Sequence, residues 1–428
     1  MTKSSRRDVI LMGLITFSNL GYLLFPSEVI SATPEVSRLM TLLLLQNLIW
    51  LWLWFTVKNP PRFLCLALAG LAVFFTLLKP PILENDFYRY FWDGHQILQN
   101  SHPYAVAPAK GKLEGLKSVQ SKIGFPEIRT IYPPLTELVF AGIAKVSGKK
   151  LTPFLWGLAL GGYFLFAIAL FKLQRRNDLP DVSPRLSLLL LHPLLLHEWV
   201  QTVHYDSWSS SALLLSFACE GIIWQAMWQG IAAGMRFPLG IALALGRDRF
   251  PKAKLGIALL VFAIPFLIFR DDLAGMFDSL RTFSTQWEMN SGVFRLIRET
   301  AYWICPHPEQ ASLIARAVST GIWVLISGVI FFTKYRDPRE KLFWILYFLV
   351  LLSPVVNPWY FTWSLPLVIF LPPSRLKYAI AAFAALPLAY SIDLPKVLPF
   401  PFQRLWDIEH LWLWSMAGLA WRNEPARK

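Results

Sequence analysis

Between positions 84 and 94 the chain reads Glu-Asn-Asp-Phe-Tyr-Arg-Tyr-Phe-Trp-Asp-Gly, directly after an apolar run that ends at Lys79-Pro80-Pro81. In a helix, Asp86, Arg89, Tyr90 and Asp93 fall at i, i+3, i+4 and i+7 and share one face. A carboxylate, a guanidinium and a phenol on one face can accept a proton and hold an anion. Asp86 is the candidate general base. A carboxyl held among rings and partly desolvated has a raised pKa and can take a proton from a hydroxyl; the alternative is a helix N-cap or a partner for Arg89. Glu84 is a possible second acid. Arg89 suits a phosphate, because guanidinium offers planar, charge-assisted hydrogen bonds, with a salt bridge to Asp86 or Asp93 as its structural alternative. Asp93, before Gly94, is placed to orient the helix more than to react.

Other candidates lie further along. Tyr104, in Ser101-His102-Pro103-Tyr104, and Tyr132, in Ile131-Tyr132-Pro133-Pro134-Leu135, stand beside prolines that restrict their backbones. They could bind a sugar hydroxyl or belong to an interfacial aromatic belt. His204 and Asp206, at an expected span end, could form a hydrogen-bonded donor pair for a pyrophosphate or phosphate, or a pair of metal ligands. Two such residues do not make a metal site, so neither metal nor cofactor is expected. Trp287, Asn290, Arg295 and Arg298 could line a lipid-phosphate cleft, although a solvated face explains the arginines equally well. Asn357, in Asn357-Pro358-Trp359-Tyr360, is a candidate lining group or helix-end cap, with Tyr360 beside it. His192 and His197, inside an apolar run, read as satisfied core histidines.

The elements that must carry these groups are membrane spans. Of 428 residues 55% are hydrophobic and only 16% charged, and mean hydropathy is +0.44. Apolar runs of spanning length recur from end to end, which defines an all-α, polytopic membrane protein of one domain. The net charge of +14 does not indicate nucleic acid: the Lys and Arg cluster in short loops between apolar runs, as the positive-inside bias produces. Cys65, Cys219 and Cys305 are scattered, without disulfide or metal-ligand spacing. The N-terminal apolar run from Val9 lacks a small-residue cleavage site and is expected to stay as a first span.

In order, spans are expected at 9–26, 39–57, 63–79, 151–171, 185–203, 207–229, 253–269, 311–333, 342–356, 361–371, 378–391 and 405–420. Residues 135–147 read as a half-buried helix of the external layer, and 230–246, interrupted at Arg236-Phe237-Pro238, as a broken or re-entrant helix. That makes about twelve spans with both ends cytoplasmic. The basic loops fall on one side. The polar clusters 84–134, 204–206, 270–310 and 357–360 fall on the other. Residues 80–150 then form a long external loop with juxtamembrane helices, and 270–310 a second one. A loop of that length is functional or disordered, and its aromatic content argues against disorder.

The run Asp86 to Gly94, then His102-Pro103-Tyr104, then Tyr132-Pro133-Pro134-Leu135, resembles the first external loop of bacterial polyprenyl-phosphate-mannose-dependent mannosyltransferases, in the GT-C superfamily of membrane glycosyltransferases. His204-Tyr205-Asp206 and Asn357-Pro358-Trp359-Tyr360 resemble the later motifs of that group, in the same order along the chain. The resemblance implies a polytopic enzyme in the inner or plasma membrane with its active site facing away from the cytoplasm. It implies a hexose donor, mannose above others, on a polyprenyl phosphate, a glycan or glycolipid acceptor, and contact with membrane lipid. It also matches Asp86 to the acidic residue of that loop, the catalytic base. Two positions depart from the pattern: His102 stands where asparagine is usual, and Arg236 where a lysine is expected near the broken helix, which changes the donor geometry there.

On that resemblance the acceptor hydroxyl loses its proton to Asp86 as it attacks the anomeric carbon. Polyprenyl phosphate leaves, its charge met by Arg89 or another cation, and the centre inverts. The rival is a transporter or flippase of lipid-linked sugars. That function needs polar residues along a path open to both faces, whereas here they concentrate on one.

Overall fold

The computed structural model describes residues 3–26, 33–175, 179, 183–245, 251–333, 337–393 and 405–423, and among them every regular element is a helix. Close packing divides the chain into two units. One comprises Met1–Lys79, Leu173–Glu198 and Glu288–Lys428, the other Pro80–Lys172 and Trp199–Trp287.

Among the described residues, four helices are long and apolar enough to cross a membrane: Arg6–Leu24, Pro34–Thr56, Leu151–Leu173 and Pro308–Phe332. A fifth crossing arises if Lys252–Ile268 and Leu273–Gln286, bent by 107°, count as one. Arg62–Leu77 is apolar but shorter. Pro338–Leu351 and Leu405–Arg422 are further continuous α-helices, and the other apolar runs are broken. The run 185–203 is a 3-10 segment Ser183–Leu191, one α-turn Pro193–Leu196 and a π-turn His197–Gln201. The run 361–371 falls in two 3-10 pieces, Pro358–Trp363 and Leu365–Phe370, and 378–391 changes from α to 3-10 at Phe383. Prolines at 193, 358, 366 and 387 withdraw backbone donors and clash with the preceding turn, which ends regular helix there. The run 207–229 is two helices, Asp206–Ala218 and Ile222–Met235, separated at Gly221 with φ of 83°. The basic loop positions 176–178, 247–250 and 334–336, with Arg427 and Lys428, lie outside the described residues.

The first unit is built on Lys3–Ser18, Thr33–Thr56 and Arg62–Leu77, with Pro308–Phe332, Pro338–Leu351 and Leu405–Arg422 in its C-terminal part. Several of its buried polar groups find partners inside it, which lowers the cost of burying them. Trp50 donates to the Leu188 carbonyl at 2.9 Å, Tyr347 to that of Leu413 at 2.9 Å, and Arg375 pairs with Glu340 at 2.5 Å. His192 packs on Trp50 with ring centroids 4.2 Å apart, and His197 meets the Tyr22 hydroxyl at 3.0 Å. Both histidines are packed core side chains, as expected.

The second unit carries the charged stretch. Asp86–Leu98 is helical, with Asn85 ahead of it and Asn100 in the left-handed region (φ of 56°) just past its end, a residue type that tolerates that turn. Against it lies Pro134–Ser147, opened by Pro133-Pro134, where fixed φ suits a first turn, and closed at Gly148 with φ of 57°. The two helices approach so closely at Gly94 that a Cβ there would stand 2.7 Å from the Phe140 carbonyl oxygen. Any side chain at 94 would push them apart.

The segment between these helices has little regular structure but is well anchored. Gln96 donates to Val106, and Gln120 to both Pro108 and Gly111, at 3.0, 2.6 and 2.9 Å. Tyr104 is buried against Phe269 and Met276, and Gly275 lets the Leu273–Gln286 helix pass over the Tyr104 carbonyl.

Candidate active site

Asp86 occupies the first turn of its helix, where the free N–H groups and the helix dipole favour a carboxylate. It lies half-buried in the wall of an open cleft of about 500 Å³, counting the solvent-open mouth, shared with Arg89, Ile128, Tyr132, Phe283 and Trp287. Burial pushes its carboxyl above the ordinary aspartate range; His204, Arg236 and Arg89 pull it back, and Asp206 adds to the rise. Such a group is a stronger proton acceptor than a solvated aspartate.

Arg89 is buried, with one side of its guanidinium committed. Its Nε meets Asp93 Oδ2 at 3.2 Å, and Nη2 donates to the Ile128 carbonyl. Nη1 has no hydrogen-bond partner among the described residues. A buried, unsatisfied guanidinium donor at a cleft wall is costly unless an acceptor arrives.

Opposite these polar groups the cleft is aromatic. Trp287 packs on Phe125 and Phe283 with centroids 4.4 and 5.0 Å apart. Phe125 holds φ of 53°, an uncommon conformation for a residue with a large side chain. Apolar walls with few convergent polar groups are the usual make-up of a small-molecule site.

A second layer is formed by Tyr90, Tyr132, Phe140 and Tyr205. Tyr90 stacks on Phe140 at 4.8 Å, and Tyr132 meets Tyr90 and Tyr205 edge-on, each at 5.3 Å. Burial raises the phenols of Tyr90 and Tyr132 far above their ordinary range, and the charge of Asp86 raises both further. They remain hydrogen-bond donors and do not exchange protons. The Tyr104 hydroxyl donates to the Tyr132 carbonyl at 2.7 Å, so Tyr104 positions the cleft wall from behind.

His204 and Asp206 are buried in this unit. His204 Nδ1 is 2.8 Å from the Thr202 hydroxyl. Asp206 accepts a bidentate pair from Arg236, Nε to Oδ1 at 2.8 Å and Nη2 to Oδ2 at 2.9 Å, and that guanidinium lies 4.3 Å from the Tyr205 ring centroid. Helix Ile222–Met235 ends at Arg236, followed by the 3-10 turn Phe237–Gly240, so the expected break is present and its arginine faces an acid. His102 pairs with Asp272 at 2.6 Å. Glu84 is half-buried, two residues ahead of the Asp86 helix.

Asn290, Arg295, Asn357 and Tyr360 belong to the first unit. Asn290, with φ of 49°, donates to the Val356 carbonyl at 3.1 Å and to Glu409 at 3.3 Å. Arg295 pairs with Asp407 and Arg298 with Glu288. Asn357 is buried ahead of the 3-10 turn Pro358–Trp363 without a side-chain capping bond, and Tyr360 stacks on Trp363 at 4.8 Å. Among the described residues, no group of three or more His, Cys, Asp or Glu side chains could hold a metal ion.

Sequence reasoning missed Phe125, Phe283, Thr130 and Glu137. Glu137 had a signal: it is the one carboxylate in an otherwise apolar helix, Pro134–Ser147, and ionisable groups in such helices tend to be functional. Phe125 and Phe283 come from segments far apart in sequence and had none.

An all-helical protein with several long apolar helices and an acid–guanidinium cleft walled by aromatics fits the class of membrane-embedded transferases. Residues 24–246, just over half of the chain, match the family model MptA_B, alpha-(1→6)-mannopyranosyltransferase, N-terminal domain. The chain belongs to this family; it is a glycosyltransferase, a mannosyltransferase, integral to a membrane, acting between a sugar donor and a glycan acceptor. No curated protein and no solved structure matches it.

Proposed function

We propose that this protein moves mannose from a polyprenyl-phosphate-linked donor to a glycan or glycolipid acceptor with inversion, using Asp86 as general base. The observation that carries the reading is that Asp86 and Arg89 line one cleft, with Nη1 of Arg89 left without a partner. An acid able to take a hydroxyl proton and a guanidinium able to meet a phosphate oxygen are the two functions that this transfer needs.

In the proposed step the acceptor oxygen bonds to the anomeric carbon as its proton passes to Asp86. The carbon–oxygen bond to phosphate breaks, and its electron pair leaves with the polyprenyl phosphate, whose charge Arg89 receives. Trp287, Phe125 and Phe283 offer flat apolar faces to the sugar ring. Inversion to an α-linked product requires a β-linked donor, so the anomeric form of the donor is part of the proposal. The active site faces away from the cytoplasm, in a bundle of about twelve crossings, several of them through broken helices.

The test uses purified protein in lipid nanodiscs, with β-linked polyprenyl-phosphate mannose and α-mannooligosaccharide acceptors. Wild type transfers mannose from the β-linked donor and not from its α-anomer. Asp86→Asn, with unchanged thermal unfolding, loses about 10²- to 10⁴-fold in rate, the usual contribution of a general base. Wild-type rates in Asp86→Asn would sink the assignment.

A further inference from the structure

Behind Arg89 lies a carboxyl pair that the transfer step does not use. Asp93 and Glu137 are 1% and 0% exposed, and Gly94 brings their helices together. Thr130, in the segment leading into the second helix, donates its hydroxyl to Glu137 Oε1 at 2.7 Å and accepts the Tyr132 N–H at 3.3 Å. Asp93 faces Arg89. Among the described residues, Glu137 Oε2 and both oxygens of Asp93 have no hydrogen-bond donor, Asp93 being held to Arg89 by the ion pair alone.

One guanidinium thus serves two buried carboxyls. A second negative charge, out of water and without its own cation, costs several kcal/mol. The hydrogen-bond inventory agrees: Thr130 has one proton to give, already placed on Glu137, and the remaining oxygens lack a donor unless a carboxyl supplies it.

We propose that Glu137 is a positioning residue for Arg89: it holds a proton, which leaves Asp93 as the guanidinium's single counter-charge and keeps Nη1 free to bind the phosphate of the donor. Burial first, and the charge of Asp93 next, raise the Glu137 carboxyl well above its ordinary range, while Thr130 and Arg89 act the other way. The titratable groups facing it are Asp93 and Arg89 on the Asp86–Leu98 helix and Tyr104 on the intervening segment, whose phenol stays protonated. When Glu137 ionises at alkaline pH, a second carboxylate competes for Arg89 and the cleft loses affinity for an anion. This inference rests on the phosphate-linked donor proposed above.

The probe is a short-chain prenyl methyl phosphate diester, whose single negative charge does not change with pH. Its affinity for the full-length protein in nanodiscs is measured from neutral to alkaline pH, above the range in which Asp93, raised by burial to about 6, changes charge. Wild-type affinity is expected to fall about tenfold across that range, a loss equal to roughly 1.4 kcal/mol. Glu137→Gln, which keeps the neutral form, is expected to bind within about threefold of wild type at neutral pH and to stay flat above it. Thr130→Val, which removes a hydrogen bond to the carboxylate, is expected to move the fall to higher pH. Independently of any ligand, the infrared C=O band of protonated carboxyls should be present in wild type at neutral pH and lose intensity in Glu137→Gln, Glu409 being another fully buried carboxyl. A Glu137→Gln variant that binds the diester with the wild-type pH dependence, or one whose band keeps the wild-type intensity, overturns the role of Glu137 and leaves the transfer reading standing. If Glu137→Gln does not fold, the Thr130→Val shift decides. A wild type that binds the diester at no pH overturns the phosphate-donor reading and this role with it.

Discussion

Arg236 and Asp206, thirty residues apart in sequence, are joined by two parallel hydrogen bonds of 2.8 and 2.9 Å. One stands where the Ile222–Met235 helix ends, the other where the Asp206–Ala218 helix begins. The pair therefore closes the two helices at their polar ends. It also places a cation near Asp86, where it draws that carboxyl's pKa down against burial. The arginine at the broken helix is explained by this fork, which an ammonium cannot reproduce.

Removing either partner should leave a buried charge uncompensated. Arg236→Ala or Asp206→Ala is expected to destabilise the protein by about 3–5 kcal/mol. Arg236→Lys keeps the charge but loses one charge-assisted bond, for a cost of about 1.5–3 kcal/mol. Thermal unfolding in detergent reads these losses, and the double variant Asp206→Ala with Arg236→Ala should cost less than the sum of the singles. Strict additivity would show that the two side chains are not coupled.

The pH dependence of transfer should carry the mark of Asp86. A base works only when ionised, so activity falls as pH drops through its pKa. Because burial raises that pKa, the acidic limb of kcat/KM is expected above the ordinary aspartate value of about 4. Any residual rate in Asp86→Asn should lack this limb. The check is a kcat/KM profile for both proteins, and a limb that persists in the variant assigns the base elsewhere.

At position 102 the effect should be small. The His102 and Asp272 side chains are 43% and 28% exposed, and pairs this open to water contribute about 0–1 kcal/mol. His102→Asn restores the usual residue of the resembling sequences and can still donate to Asp272. Stability within about 1 kcal/mol of wild type and an unchanged transfer rate are expected from unfolding and initial-rate measurements.

These sites were legible to different degrees for physical reasons. Period and charge within one helix are local, so the shared face of Asp86, Arg89, Tyr90 and Asp93 could be read from the sequence, as could the break at Arg236-Phe237-Pro238. The Asp206–Arg236 fork depends on two helix ends meeting, which no local pattern encodes. Mean hydropathy identified apolar runs such as 185–203 and 361–371 but not their backbone form, because buried 3-10 and α segments are equally apolar. Proline placement was the available signal, at 193, 358 and 366. The Glu137–Thr130–Asp93 cluster was hidden for another reason: it forms only because one glycine lets two helices touch.

That glycine gives the sharpest structural test. A methyl at position 94 would lie 2.7 Å from the Phe140 carbonyl oxygen and 2.8 Å from its carbonyl carbon. These are backbone atoms, so no side chain can swing away, and the helices Asp86–Leu98 and Pro134–Ser147 must separate. Overpacking of this kind costs about 1–3 kcal/mol, offset by no more than about 1 kcal/mol from the better helix propensity of alanine. Gly94→Ala is therefore expected to lower thermal stability. It should also weaken binding of the phosphate diester, because Asp93, next to the glycine, fixes the Arg89 guanidinium. Gly142→Ala on the second helix, where a Cβ meets nothing within 4 Å, is the matched control and should be neutral or stabilising. Diester affinity measured beside unfolding separates the two effects. A Gly94→Ala protein with wild-type stability and wild-type affinity would show that the two helices do not need this contact to hold Arg89 at the cleft.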